Sequence, residues 1–250
     1  MNATALFEAR GLHMRFGDRV VLENVSLAFP EGQLSGIMGP NGAGKTTCFN
    51  VLTGRYRPTR GQVLFRGQDI TGLSPHRIAR LGVSRSFQLL NLFNDFTAEE
   101  NVLVALPGLR DHGMNMARDV MADRSLRDRA AAVLDRVGLG AKGGIPARQL
   151  PYGDRRALEI GVALAADPAV LFLDEPTSGL GADAIGRLAE LVRRLKGEVT
   201  IVAIEHDMEF LFGLADTIAV IHWGQVIRHG TPDALRADPW VRNSNLGRLK

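Results

Sequence analysis

Four short apolar runs recur along the chain: Leu34–Met38, Ala169–Leu173, Val199–Ile204 and Ile218–His222. Runs of this length, closed off by glycine or polar residues, read as buried strands. Helix starts lie between them. Ser74-Pro75 and Thr231-Pro232 each set a hydroxyl residue before a first-turn proline, a pairing that opens helices because the proline has no N–H to leave unbonded there. Thr97-Ala98-Glu99-Glu100 has capping-box spacing and predicts another start. The stretch from about 114 to 137 is rich in Arg, Ala, Asp and Met and reads as mostly helical. Strands alternating with helices predict an α/β fold with a largely parallel sheet. The middle, roughly 89–165, carries no strand signal and reads as a helical insertion in that core. No fixed-period repeat, low-complexity tract or long linker interrupts the pattern, and the last residues, 243–250, read as a fraying end.

Composition sharpens this picture by exclusion. A chain of 250 residues can bury a large core without a disulfide or metal staple. Its 45% hydrophobic and 23% charged residues are ordinary for a globular protein and exclude wholesale disorder or a fibre. The apolar runs fall far short of the roughly 20 residues a membrane helix requires. The opening MNATALFEAR has neither the basic nor the apolar region of a secretory signal, so the expectation is a chain kept in the cytoplasm. The one cysteine, Cys48, cannot pair internally and reads as a small packing residue. The net charge is +3, and the basic residues, mostly arginine, are interleaved with acids. A nucleic-acid binder would concentrate them in a stripe, so no nucleic-acid partner is expected. An anionic ligand and a membrane-proximal position both remain open.

The candidate chemistry begins at Gly39-Pro40-Asn41-Gly42-Ala43-Gly44-Lys45-Thr46-Thr47. This fits G-x-x-x-x-G-K-[ST] and lies between a predicted strand and a helix predicted from about Gly44, the context that motif requires. Its glycines let successive N–H groups converge on phosphate oxygens, and the helix N-terminus adds a favourable field. Lys45 can reach the β- and γ-phosphates, and the Thr46 hydroxyl can ligate Mg²⁺. A second constellation ends the run Val170-Leu171-Phe172-Leu173-Asp174-Glu175-Pro176. Adjacent acids at the carboxyl edge of a strand sit where open α/β sheets bind ligands. Asp174 can assist Mg²⁺ through water, and Glu175 can act as general base on an attacking water. No His or Cys set elsewhere has metal-ligand spacing.

A third stretch, Leu150-Pro151-Tyr152-Gly153-Asp154-Arg155-Arg156-Ala157-Leu158-Glu159-Ile160, resembles the signature motif of the ATP-binding-cassette (ABC) ATPases. With Asp174-Glu175-Pro176-Thr177-Ser178-Gly179-Leu180 and Glu205-His206-Asp207, the order and spacing resemble that family over nearly the whole chain. The resemblance implies one P-loop NTPase domain with an N-terminal antiparallel β region. Residues 1–88 and 166–250 would form the nucleotide-binding core, and 89–165 a helical subdomain carrying the signature. It implies that Phe16 stacks on adenine, that Gln88, following Val83–Phe87, senses Mg²⁺ and the attacking water, and that His206 contacts the γ-phosphate. Leu150, Pro151, Tyr152, Gly153 and Asp154 would act in trans, on nucleotide held by the phosphate loop of a second subunit.

Within the family, the chain is most similar to the ATPase subunits of branched-chain amino acid importers. The carriers are the L-P-Y-G signature with Arg155-Arg156 and Leu158-Glu159-Ile160, Ser86-Phe87-Gln88 before Leu92-Phe93 and 97–102, Ile204-Glu205-His206-Asp207-Met208, and Gly230-Thr231-Pro232. The implied partners are a second ATPase subunit, self or sister, two membrane permeases and, indirectly, an extracytoplasmic solute-binding protein. The implied location is peripheral, on the cytoplasmic face of the inner membrane, with Leu89, Leu90, Leu92 and Phe93 available to seat a permease helix. Related patterns occur in the ATPase of lipopolysaccharide export and in soluble ABC ATPases of translation or DNA repair, and these are the alternatives. Two motifs depart from the common family patterns L-S-G-G-Q and S-A-L-D: in the first, Pro151 and Tyr152 replace Ser and the first Gly, and in the second, Gly181 replaces Asp. A proline brings neither hydroxyl nor N–H to a γ-phosphate.

Overall fold

The computed structural model describes residues 5–86, 91–107 and 123–244. The first sheet is antiparallel. It comprises β1 (Ala5–Phe16), β2 (Arg19–Pro30), β4 (Arg60–Phe65) and β5 (Gln68–Asp69), in the order β2-β1-β4-β5. The second holds β3 (Leu34–Met38), β6 (Val83–Arg85), β7 (Val170–Asp174), β8 (Thr200–Ile204), β9 (Thr217–His222) and β10 (Gln225–Gly230). Its order is β10-β9-β3-β8-β7-β6, parallel except for β10, which pairs antiparallel with β9 as a hairpin. Each of the four apolar runs thus lies in the parallel sheet. The expected strand at 83–87 is found over Val83–Arg85, and Phe87 lies outside the described residues.

The helices are α1 (Lys45–Leu52), α2 (Pro75–Arg80), α3 (Ala98–Leu103), α4 (Arg124–Arg136), α5 (Tyr152–Leu164), α6 (Ala182–Leu195), α7 (Met208–Leu214), α8 (Pro232–Ala237) and α9 (Pro239–Asn243). Thr97 and Glu100 close a full capping box at α3: Glu100 N–H donates to Thr97 Oγ1 at 3.2 Å and Thr97 N–H to Glu100 at 2.7 Å. Thr231 caps α8 through Ala234 N–H. Ser74 stands before α2 as expected, but its hydroxyl pairs with His76 Nδ1 at 2.9 Å and caps no backbone N–H. Of the stretch 114–137, residues Arg124–Arg136 are helical, and 114–122 lie outside the described residues. The described residues between 91 and 164 form helices, short 3₁₀ turns and irregular connections, with one isolated bridge between Thr97 and Pro146.

The parallel sheet is covered on both faces, so its central strands read as continuous apolar runs. Along β7, Val170 and Phe172 join one core and Leu171 and Leu173 the other. Along β8, Val202 and Ile204 oppose Ile201 and Ala203 in the same way, the two-residue period of a pleated strand. One core fills the space between the two sheets around α1, where Phe7 and Phe49 meet Phe172 edge-on at 5.2 and 5.1 Å. The other joins the far face of the sheet to α3, α4, α5, α6 and α7. Cys48 is fully buried in the first core, and burial pushes its thiol up to about 12.

Candidate nucleotide site

The phosphate loop joins β3 to α1, and its shape requires glycine at two positions. A Cβ on Gly39 would collide with the carbonyl oxygen of Ile221 on β9. One on Gly44, at φ 101°, would lie 2.8 Å from the Val21 carbonyl oxygen. The β9–β10 hairpin braces the loop, because Gly224 N–H donates to the Ala43 carbonyl at 2.9 Å and Glu23 N–H to the Gly224 carbonyl. Lys45 folds back over the loop and donates to the carbonyls of Gly39 at 2.8 Å and Pro40 at 3.0 Å. Its burial lowers the ammonium pKa, and the field of Glu175 opposes that shift.

A cleft of about 370 Å³ opens over this loop. Asn41, Gly42, Gly44, Lys45, Thr46 and Thr47 line it, with Phe16, Arg19 and Val21 from the strand pair β1–β2 and Glu175 from just past β7. Thr46 is exposed, so its hydroxyl is open to a ligand. Phe16 is 44% exposed and meets Tyr56 edge-on at 5.4 Å, which leaves its ring available to a base. Phe16, the phosphate loop and Glu175 thus meet in one space. Glu175 holds φ 44°, a left-handed conformation that costs a side-chain-bearing residue on the order of 1 kcal/mol. Its N–H donates to the Ile204 carbonyl at 3.0 Å, and its carbonyl accepts from Ser178.

Asp174 sits deeper, only 2% exposed, and is paired with Arg85 of β6 at 2.7 Å. The loops after β7 and β8 are joined through Glu205. This buried carboxylate accepts from Thr177 N–H at 2.7 Å, His206 N–H at 3.1 Å and Asp207 N–H at 3.3 Å. Burial raises its pKa, and the bonds from Thr177 and Asp207, with the charge of His206, pull it back. The His206 side chain is more than half exposed, its Nδ1 4.0 Å from Glu205. Gln88 lies outside the described residues, as do Leu89 and Leu90. Leu92 packs into the helical core, whereas Phe93 is 57% exposed and stacks on Phe96 at 5.0 Å.

The signature residues stand apart from the cleft of their own chain, at the N-terminus of α5. Leu150 is buried, Pro151 and Tyr152 are exposed, and Gly153 is half-buried against Ala184. Asp154 is paired with Lys142. Pro151 stands at the N-cap with no side-chain hydrogen bond to the helix, and the Tyr152 ring packs against Gly179 of the loop after β7. Gly181 stands at the N-cap of α6, again with no side-chain cap. Arg85, Tyr56 and Glu205 were not assigned roles by the motifs. Their partners are distant in sequence or lie on backbone, and only the fold reveals them.

A phosphate loop, an acid-tipped parallel strand and a flanking antiparallel sheet with an exposed aromatic define a P-loop nucleotide-binding protein. The family model described as ABC transporter matches residues 22–178, and the chain belongs to that family. It is 41% identical over 249 residues to the high-affinity branched-chain amino acid transport ATP-binding protein LivG of Escherichia coli (strain K12), with 97% of this chain and 98% of that protein covered. The corresponding protein BraF of Pseudomonas aeruginosa is 39% identical over 251 residues, covering 97% of this chain and 98% of its own. Among solved structures, a nucleotide-free ATP-binding cassette from an ABC transporter superposes with a TM-score of 0.84 at 27% identity, covering 96% and 98% of the two chains. The chain is therefore an ABC ATPase.

Proposed function

We propose that this chain is the ATP-binding and hydrolysing subunit of an importer for branched-chain amino acids or a related small polar solute. It would act as one of two cassettes beneath membrane permeases, on the cytoplasmic face of the membrane, fed by an extracytoplasmic solute-binding protein. The observation that carries the ATPase part is the cleft that gathers Phe16, Lys45, Thr46 and Glu175 from distant stretches of chain. Likeness to LivG and BraF over nearly full length supports the solute class. In this reading adenine stacks on Phe16, loop N–H groups and Lys45 hold the phosphates, and Glu175 takes the proton of the attacking water. The γ-phosphate meets His206 in cis and residues 150–154 of the second cassette in trans.

Mg²⁺ fits the donors present, since the exposed Thr46 hydroxyl and the Asp174 carboxylate are hard oxygen ligands of the kind it takes. When bound it would offset charge on the β- and γ-phosphates. Thr46 would hold it directly, Asp174 through water, and Gln88 is the third residue proposed for it. Phe93 and Phe96 offer an exposed aromatic pair to a permease segment.

The test has two parts. ATP hydrolysis and binding by the purified chain should respond differently to Glu175→Gln and Lys45→Ala. The first should bind ATP yet hydrolyse it roughly 10²–10⁴-fold more slowly. The second should lose roughly 10–100-fold in ATP affinity, the weight of a charged hydrogen bond. Normal turnover in Glu175→Gln would require a different base. Tagged chain solubilised from native membranes should then bring polytopic permeases with it. Recovery with ribosomes or DNA-repair factors instead would overturn the transport reading and leave the ATPase standing.

A further inference from the structure

Arg85 is the one residue in the described structure that joins Asp174 to the phosphate-loop helix through a single side chain. Its Nη2 donates to Asp174 Oδ2 at 2.7 Å. Its Nη1 donates to Asn50 Oδ1 at 2.7 Å and to Thr53 Oγ1 at 2.9 Å. The guanidinium carbon lies 4.9 Å from the ring centroid of Phe49. Phe49 and Asn50 belong to α1 and Thr53 is its C-cap, so all three anchors ride on the helix that begins with Lys45 and Thr46. The strand side is equally fixed: Arg85 is in register with Phe172 on β7, and Ser86 N–H donates to the Phe172 carbonyl at 2.8 Å. The arginine side chain is 10% exposed and the carboxylate 3%.

We propose that Arg85 is a positioning residue for magnesium-dependent nucleotide binding, holding Asp174 in fixed relation to Thr46 by gripping both β7 and α1. The inference rests on the reading of Asp174 as the acid that takes a magnesium-bound water. A planar fork can hold a carboxylate oxygen and two further acceptors at once, which an ammonium point charge on a flexible stem cannot do in the same geometry. The fork engages Oδ2 and leaves Oδ1 with no hydrogen bond among the described residues. Partners one shell out from a metal orient the ligand they bind, and losing one lowers metal affinity without touching the metal.

The experiment is binding of a fluorescent N-methylanthraniloyl-ATP to the full chain, first in EDTA and then titrated with Mg²⁺, for wild type, Arg85→Met and Asp174→Asn. Arg85→Met should raise the Mg²⁺ midpoint roughly tenfold or more and leave metal-free nucleotide affinity unchanged. Asp174→Asn should raise the midpoint too. A wild-type midpoint in Arg85→Met beside a raised one in Asp174→Asn would overturn the proposal alone. A wild-type midpoint in both would remove the reading of Asp174 and the proposal with it. An equal loss of affinity with and without Mg²⁺ would show that Arg85 merely holds α1 in place, and would also overturn the proposal. If Arg85→Met gives no cooperative thermal melt, Arg85→Lys is read on the same scale. It keeps a positive charge beside Asp174 and loses the fork, so its midpoint should also rise, and a wild-type value would overturn the proposal.

Discussion

At the scale of single residues, the site is held by groups that are buried and multiply bonded, and Glu205 is the clearest case. One carboxylate accepts three N–H groups from two loops, at 0% exposure. Burial places its folded-state pKa above the usual 4.5. The folded chain therefore takes up this proton more readily than the unfolded chain. The stability this group contributes is full below about pH 4.5 and is lost as pH rises through the raised folded value. Melting temperatures of wild type and Glu205→Gln, compared from about pH 4 to pH 8, should show wild type losing relative stability with rising pH and then levelling. A constant difference would mean that Glu205 has the same pKa in both states. None of this was legible in the sequence. The motif Glu205-His206-Asp207 marks the place, but the Thr177 N–H that completes it comes from the loop after another strand. Arg85 was hidden for the same reason, since its partner Asp174 is 89 positions away.

At the scale of elements, local rules were read well where the chemistry is local. The phosphate loop, the four central strands, the capping box at Thr97 and the cap at Thr231 follow from residue type and short spacing, and the fold has each of them. Ser74 is the instructive exception, because a histidine two positions on competes for its hydroxyl. The helix Ala182–Leu195 carries a readable apolar spacing but no strong cap. Leu188, Leu191, Val192 and Leu195 are buried at three- and four-residue spacing, and Gly181 before them is a weak start signal. That weak start can be corrected. A Cβ at Gly181 meets nothing within 4 Å, and φ −78° with ψ 165° suits a capping residue. Gly181→Asp should therefore raise stability by about 0.5–1 kcal/mol, from the new cap and a stiffer unfolded chain. In thermal unfolding this is about 1–4 °C for a chain of this size. A lowered melting temperature would show that the position needs glycine for a reason other than space.

At the scale of the whole molecule, the signature and the phosphate loop of one chain do not share a cleft, which is the geometry a head-to-tail pair of cassettes would use. In the proposed arrangement Pro151 would be the weak point of the trans contact, because it offers the second chain neither hydroxyl nor N–H. Pro151→Ser in a Glu175→Gln background should increase the fraction of ATP-induced dimer in sedimentation velocity. No increase would mean that Tyr152, Gly153 and the α5 N-terminus suffice to hold the phosphate.

The buried face of α1 has one more consequence. The chain has a single cysteine, sealed in the core beneath the phosphate-loop helix, with its thiol pKa pushed up to about 12. Only the thiolate reacts quickly with a maleimide, so labelling of the folded wild type must wait until that helix lifts from its core. The labelling rate is thus a clock for local opening at the nucleotide site. ATP, gripped at the front end of the same helix, should slow that clock. A cysteine introduced on the surface would be modified long before Cys48, leaving the native residue to report on the interior.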